Sequence, residues 1–157
     1  LRWAGRGWVP VIGPAGRPAS GAPHGANSPP LKPPLWPPAD VAFSALIEDL
    51  SDRGLFDETL VVWVGEFGRT PRVESGGRQH WSQCYSAVLA GGGIRGGAVY
   101  GSSDRIGAHP SEKPVSPPDL TATIHHALGI DPETPITDRL GRELLLTEGK
   151  PLKSLFG

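Results

Sequence analysis

The chain has 157 residues, a length typical of one domain, and its 15 lysines and arginines almost balance its 16 aspartates and glutamates. This balance argues against nucleic acid or an anionic membrane surface as a partner. The single cysteine excludes an intrachain disulfide and a cysteine-rich zinc site, and no apolar run approaches the ~20 residues that span a bilayer. No methionine is present, even at position 1, so we expect the chain to be part of a longer protein.

The front of the chain predicts an irregular arm. Many of its 22 glycines and 18 prolines lie there. The stretch SPPLKPPLWPP, from Ser28 to Pro38, is typical of an extended polyproline-like segment, because proline lacks a backbone N–H and disfavours helix. We therefore expect a linker or disordered arm over residues 1–37, followed by a folded unit over residues 38–157.

The folded unit begins with a predicted helix and a predicted strand. The helix runs from Asp40, a good N-cap residue, to Arg53, with apolar residues at helical spacing and Gly54 as a stop. The segment LVVWV, within a strand predicted from Thr59 to Gly65, is apolar on both faces, which is typical of a strand covered by helices on both sides. This succession indicates an α/β domain.

A second strand and a second helix are predicted further along. The segment CYSAVLA predicts a strand from Cys84 to Ala90, and DLTATIHHALG predicts a helix near Asp119–Leu128. Between them, Gly91, Gly93 and Gly96 match the glycine spacing of a dinucleotide-binding turn. That turn requires a helix to follow it, whereas GAVYGSSD is typical of a strand and a turn, so we interpret the glycines as a flexible turn.

The non-periodic segment after the first strand holds the candidate functional residues. In open α/β sheets, ligands bind beyond the carboxyl ends of the strands; Glu66 lies just past such an end, and His80 lies in the loop that follows. A carboxylate and a neutral imidazole can ligate a metal ion or share acid–base work, and Arg69 can hold an anion by a bidentate contact. The spacing alone allows a second interpretation, in which Glu66 and Arg69 form a surface ion pair while His80 and Trp81 pack the loop.

Five blocks of sequence together carry a family resemblance. In chain order they are DETLVVWVGEFGRTP, GRQHW, LAGGGIRGG, DLTATIHHALGID and DRLGRELLLTEGKPLKSLF. They resemble the C-terminal half of domain-of-unknown-function family 1501 (DUF1501), a sulfatase-like branch of the alkaline phosphatase superfamily, over roughly Pro37 to Phe156. The resemblance implies an α/β fold with a partial alkaline-phosphatase-like sheet flanked by helices, preceded by the irregular Pro/Gly-rich arm.

The same resemblance implies a metal site. Glu66 stands where the superfamily has an acidic metal ligand at a strand end, and His80 stands where a further histidine ligand follows. The segment PHGANSPPLKPPLWPPAD is similar to the family's Asp-Thr-His-Gly-x-Asn segment, which would make His24 a third ligand. The implied cofactor is a divalent metal ion, and Arg69 would bind the anionic group of a substrate.

The chain also departs from the family pattern. Ala22 and Pro23 replace the aspartate and threonine before the histidine of that segment, and Gln79 replaces an aspartate before His80. Phe67 fills the slot after the acid, where phosphatases have another ligand. The superfamily's nucleophile and first acidic ligands belong to an upstream half, so no catalytic nucleophile is assigned in this chain.

The resemblance therefore implies a function only for a longer protein. The chain would be the C-terminal fragment of a sulfatase-like, metal-dependent hydrolase of sulfate or phosphate esters, inactive alone, within an exported protein. Its substrate would be a small-molecule or glycan ester. The alternative is a non-catalytic remnant or binding module on the same α/β scaffold.

Overall fold

The computed structural model describes residues 36–74 and 77–157. In these ranges the chain is a mixed α/β structure with two α-helices and several small antiparallel sheets. None of the helices in this part of the chain has the length and apolar character that a membrane span requires. The candidate ligand His24 and nearly all of the predicted arm lie outside the described residues.

The first helix, α1, spans Trp36–Asp52 and confirms the predicted helix, but it begins four residues before Asp40. The prediction of extended chain through Pro38 is wrong at this point. Pro37 and Pro38 occupy the first helical turn, where the backbone N–H groups have no intrahelical partner and proline is tolerated. Asp40 is therefore not the N-cap; its backbone carbonyl accepts a hydrogen bond from Ser44 Oγ at 2.9 Å.

Both predicted strands are confirmed over shorter ranges. Strand β1 spans Val61–Val64 and strand β4 spans Ala87–Ala90, and they pair antiparallel with Val61 opposite Ala90. The described strands form four separate two-stranded antiparallel sheets. The larger alkaline-phosphatase-like sheet that the resemblance implies is therefore not seen in this part of the chain.

The remaining strands make the other three pairs. They are β2 (Gly68–Arg69) with β3 (His80–Trp81), β5 (Ser102–Ser103) with β6 (Pro110–Glu112), and β7 (Pro135–Thr137) with β8 (Glu143–Leu145).

The expected burial of β1 on both faces is only partly observed. Phe43 of α1 packs against Trp63 of β1 with ring centroids 4.7 Å apart. Trp63 and Val64 nevertheless remain 37% and 40% exposed, and Val88 of β4 is 50% exposed. The β1–β4 pair thus keeps an apolar face that the described residues do not cover.

Gly91 to Gly93 form the predicted turn after β4, and no helix begins there. All three glycines have positive φ angles, between 56° and 84°, which other residues rarely adopt. The turn is fixed by hydrogen bonds from Gly92 N to Phe56 O (3.1 Å) and from Ile94 N to Gly91 O (3.0 Å).

The second helix, α2, spans Pro117–Ala127 and confirms the helix predicted near residues 119–128. It begins with a capping box: the Ser116 hydroxyl accepts from Asp119 N, and the Asp119 carboxylate accepts from Ser116 N. Two further bonds fasten the C-terminal segment along this helix, from Lys150 N to Asp119 Oδ1 (2.8 Å) and from Leu152 N to Thr123 Oγ1 (3.0 Å). The start of α2 is therefore also the anchor of the chain end.

Candidate functional site

The segment after β1 forms a narrow two-stranded ribbon, β2–β3. Gly68 lies opposite Trp81, and Arg69 lies opposite His80. The antiparallel pairing brings together two of the candidate residues that the sequence separates by a long non-periodic stretch. Glu66 lies in the bend just before the ribbon.

Phe67 connects Arg69 and His80 on one face of the ribbon. The rings of Phe67 and His80 have centroids 4.1 Å apart at an interplanar angle of 39°. The Arg69 Cζ atom lies 5.6 Å from the Phe67 ring centroid, within the range of a cation–π attraction. Phe67 is therefore a platform that restricts both side chains, a role the sequence did not predict.

The Glu66 side chain is exposed at the start of this ribbon. The ion pairs among the described residues are Arg53–Asp49 and Arg142–Asp138, so Glu66 and Arg69 do not form the surface pair considered as an alternative. The carboxylate of Glu66 is accessible to solvent.

Trp81 attaches the ribbon to a neighbouring loop. Its Nε1–H donates to the carbonyl oxygen of Ala108 at 2.7 Å, and its ring packs edge-on against His109 with centroids 5.8 Å apart. Opposite Trp81, the backbone oxygen of Cys84 lies so close to Gly68 that a Cβ there would overlap it. The ribbon therefore needs glycine at position 68.

Thr70 fixes the ribbon beyond the paired strands. Its hydroxyl donates to Arg72 O (3.0 Å) and accepts from Gln79 N (3.1 Å), while its backbone N–H donates to Gln79 O (3.0 Å). Arg78 Nη1 donates to Thr70 O at 3.0 Å. These bonds give the ribbon a defined outer end.

Asp104 organises the loop that receives Trp81. Its carboxylate accepts backbone N–H bonds from Ile106 (3.2 Å), Ala108 (2.8 Å) and His109 (3.2 Å). These bonds, first of all the one from Ala108, lower the pKa of Asp104 below its ordinary value. Sequence reasoning missed Asp104; the available signal was an aspartate followed by a glycine-containing turn, where the side chain bonds to nearby backbone.

We expect the Asp104 loop to loosen in acid. Because the folded pKa is lowered, the stabilising contribution of the carboxylate is complete above the unfolded pKa of about 3.9 and is lost as the pH falls through the lower folded value. The loosening can be measured by hydrogen exchange of the Ala108 amide and by the chemical shift of the Trp81 indole N–H. Both are followed from neutral pH to below about pH 4. At neutral pH the Ala108 amide should be less protected in Asp104→Asn than in the wild type. Its protection, relative to the intrinsic exchange rate, should then change little as the pH falls.

Asp57→Asn is the matched control, because Asp57 is exposed and lies outside the Asp104 loop. This variant should retain the acid response of the wild type. An unchanged acid response in Asp104→Asn would show that another group controls the loop.

The candidate metal ligands do not complete a site among the described residues. In residues 36–74 and 77–157, no group of three or more histidine, cysteine, aspartate or glutamate side chains lies together as a metal ion requires. Glu66 and His80 supply two donors at most, and His24 lies outside these ranges. A metal ion held by Glu66 and His80 would need further donors from elsewhere.

Comparison with protein-family models matches most of the chain to one family. The family described as "Protein of unknown function (DUF1501)" matches residues 24–156, which include Glu66, Arg69 and His80 and begin at His24. The chain belongs to the DUF1501 family. No curated protein and no solved structure matches this DUF1501 chain. The family description assigns no activity, so a function has to be argued from the ribbon and its surroundings.

Proposed function

We propose that this DUF1501 chain is the C-terminal part of a sulfatase-like, metal-dependent hydrolase of sulfate or phosphate esters in the alkaline phosphatase superfamily. The observation that carries the proposal is the β2–β3 ribbon, in which Arg69 lies opposite His80. Glu66 precedes the ribbon, just past the end of β1. A carboxylate, an imidazole and a guanidinium in one short segment are the side chains that such a site uses for an anionic ester.

Arg69 is the proposed anion-binding residue. A guanidinium presents a planar fork of N–H donors that matches two oxygens of a sulfate or phosphate group. The Phe67 ring lies 5.6 Å from Arg69 Cζ and limits the positions that the long side chain can take. Less conformational freedom is then lost when an anion binds.

Glu66 and His80 are the proposed metal ligands, with His24 as the third. A divalent ion bound there would polarise the ester oxygens. Because the described residues do not complete a metal site, we assign the remaining ligands and the nucleophile to an upstream part of the same protein. The chain by itself is then expected to bind metal weakly and to have no turnover. The whole protein would be exported, and its substrate would be a small-molecule or glycan ester.

A non-catalytic binding module on the same scaffold is the second candidate. The observation that favours it is that the described residues contain no three-ligand group. In that case Arg69 and His80 would bind an anionic ligand without reaction. Metal content distinguishes the two candidates, because only the hydrolase needs a divalent ion.

We expect Glu66→Gln and His80→Ala to remove most of the bound divalent metal and of the sulfatase or phosphatase activity in the gene product that includes the upstream part. Each substitution removes one donor from the ion, and the loss of a single ligand or its support costs at least ~10- to 100-fold in metal affinity or activity. Metal content per protein is measured by elemental analysis, and activity with aryl sulfate and aryl phosphate esters.

Two controls make this test specific. Glu58→Gln removes an exposed carboxylate upstream of β1 and should change neither metal content nor activity. Arg69→Gln should weaken substrate binding while the metal content stays unchanged. Retained metal and activity in both Glu66→Gln and His80→Ala would show that these residues only support the scaffold.

A further inference from the structure

A cavity of about 280 Å³ lies between the outer end of the β2–β3 ribbon and the Asp104 loop. Its apolar lining includes Trp81 from the ribbon, Pro71 from the ribbon's outer end and Ile106 from the Asp104 loop. Ile106 is 59% exposed and belongs to a loop fixed by three hydrogen bonds to one carboxylate. The structure thus holds an aromatic ring and an aliphatic side chain in place beside an open cavity.

Three polar side chains stand around this apolar lining: Arg72, Glu74 and His109. Among the described residues, none of their side-chain polar atoms forms a hydrogen bond or an ion pair. The other polar groups of the lining are already used, since the Thr70 hydroxyl and the Trp81 indole N–H each bond to backbone carbonyls. Arg72 can only donate, an ionised Glu74 can only accept, and His109 can do either.

The charged groups of this lining suit a ligand without net charge. Arg72 and Glu74 carry opposite charges that balance each other, and the hydroxyl groups of a neutral ligand can accept from Arg72 and donate to Glu74. The apolar lining suits a ligand with a C–H face, and a cavity of about 280 Å³ is just below the ~300–1,000 Å³ range of ligand sites, so the ligand is small. We propose that this cavity binds a single neutral sugar ring, with one ring face on Trp81 and Ile106 and its hydroxyl groups on Arg72, Glu74 and His109.

The sugar site is separate from the proposed metal and anion site. Successive residues of a strand point to opposite faces, so Trp81 faces away from the side of the ribbon on which His80 packs against Phe67. Sugar binding therefore needs neither a metal ion nor ester hydrolysis, and it can be tested whatever the outcome for Glu66 and His80.

The test measures binding of neutral methyl pyranosides of glucose, galactose, mannose and N-acetylglucosamine to the 157-residue chain. Saturation-transfer NMR should show transfer from protein aromatic protons to the ring C–H protons of at least one of them, with a dissociation constant on the order of 1 mM. The Trp81 indole N–H resonance should shift during the same titration. Methyl glucuronide and glucosamine, which carry a negative and a positive charge, should bind more weakly than the neutral sugars.

Three exposed positions supply the variants: Arg72→Ala and Glu74→Ala in the site, with Arg139→Ala outside it as the matched control. Each site variant removes a hydrogen-bonding group and should weaken binding about tenfold, while the control binds as the wild type does. The proposal is overturned if no neutral sugar binds, if only the charged sugars bind, or if Arg139→Ala weakens binding as much as the site variants do.

Discussion

Gly68→Ala should separate the two strands of the β2–β3 ribbon. A Cβ at position 68 would overlap the backbone oxygen of Cys84 and lie 2.9 Å from the backbone oxygen of Trp81. Both obstacles are backbone atoms, so no side-chain rotation relieves the clash, and we expect a loss of about 3 kcal/mol in the free energy of unfolding, at the upper end of overpacking effects. Amide exchange at Arg69 and Trp81 should accelerate, and the shifted pairing should also disturb Arg69 and His80.

Gly96→Ala is the control for this substitution. Gly96 has no atom within 4 Å of an added Cβ and does not have a positive φ angle, so an alanine there meets neither a clash nor backbone strain. This variant should retain the stability and exchange pattern of the wild type. If Gly68→Ala behaves like Gly96→Ala, the close approach of the Cys84 backbone to residue 68 is not a feature of the protein in solution.

The elements that sequence analysis predicted correctly are those whose own residues determine them. Periodic apolar residues identified α1 and α2, and short apolar runs identified β1 and β4. The start of α1 was wrong because a run of prolines was interpreted as extended chain. Two prolines in a first turn cost a helix no internal hydrogen bond, so composition could not locate that boundary.

The pairing of the strands could not be predicted from the sequence, for a different reason. The segment LVVWV is apolar on both faces, which predicts two covering layers, but a strand's residues do not specify which strand pairs with it. In the structure β1 pairs with β4, and Trp63 and Val64 remain partly exposed. The rule that sites lie at carboxyl ends of strands still directed attention to the segment that holds Glu66.

The arrangement of the candidate site depends on contacts between residues far apart in the chain. The sequence identified Arg69 and His80 as candidates, but their direct pairing follows from the ribbon that Gly68 permits and that the Trp81–Ala108 hydrogen bond anchors. Phe67 was interpreted as a departure from a family pattern, and its contacts with both side chains became visible only in three dimensions. Local patterns therefore identified the reactive groups, and the contacts that orient them required the fold.

Thr123→Val should loosen the attachment of Leu152 to α2. Thr123 is fully buried, and its hydroxyl donates to Asp119 O (2.7 Å) while it accepts from Leu152 N (3.0 Å). Valine keeps the shape but leaves the half-buried Leu152 N–H without its acceptor, which costs about 1 kcal/mol. Exchange at the Leu152 amide should accelerate.

Two variants show whether the hydroxyl of Thr123 is the cause. Thr123→Ser keeps both hydrogen bonds, so Leu152 should stay protected even though a methyl group is lost from a buried position. Thr121→Val removes a similar hydroxyl from the same helix, but Thr121 is exposed and bonds only to Pro117 O, so the chain end should remain attached. If Thr123→Ser releases Leu152 as fully as Thr123→Val, the packing of the methyl group holds the chain end, and the hydrogen bond to Leu152 contributes little.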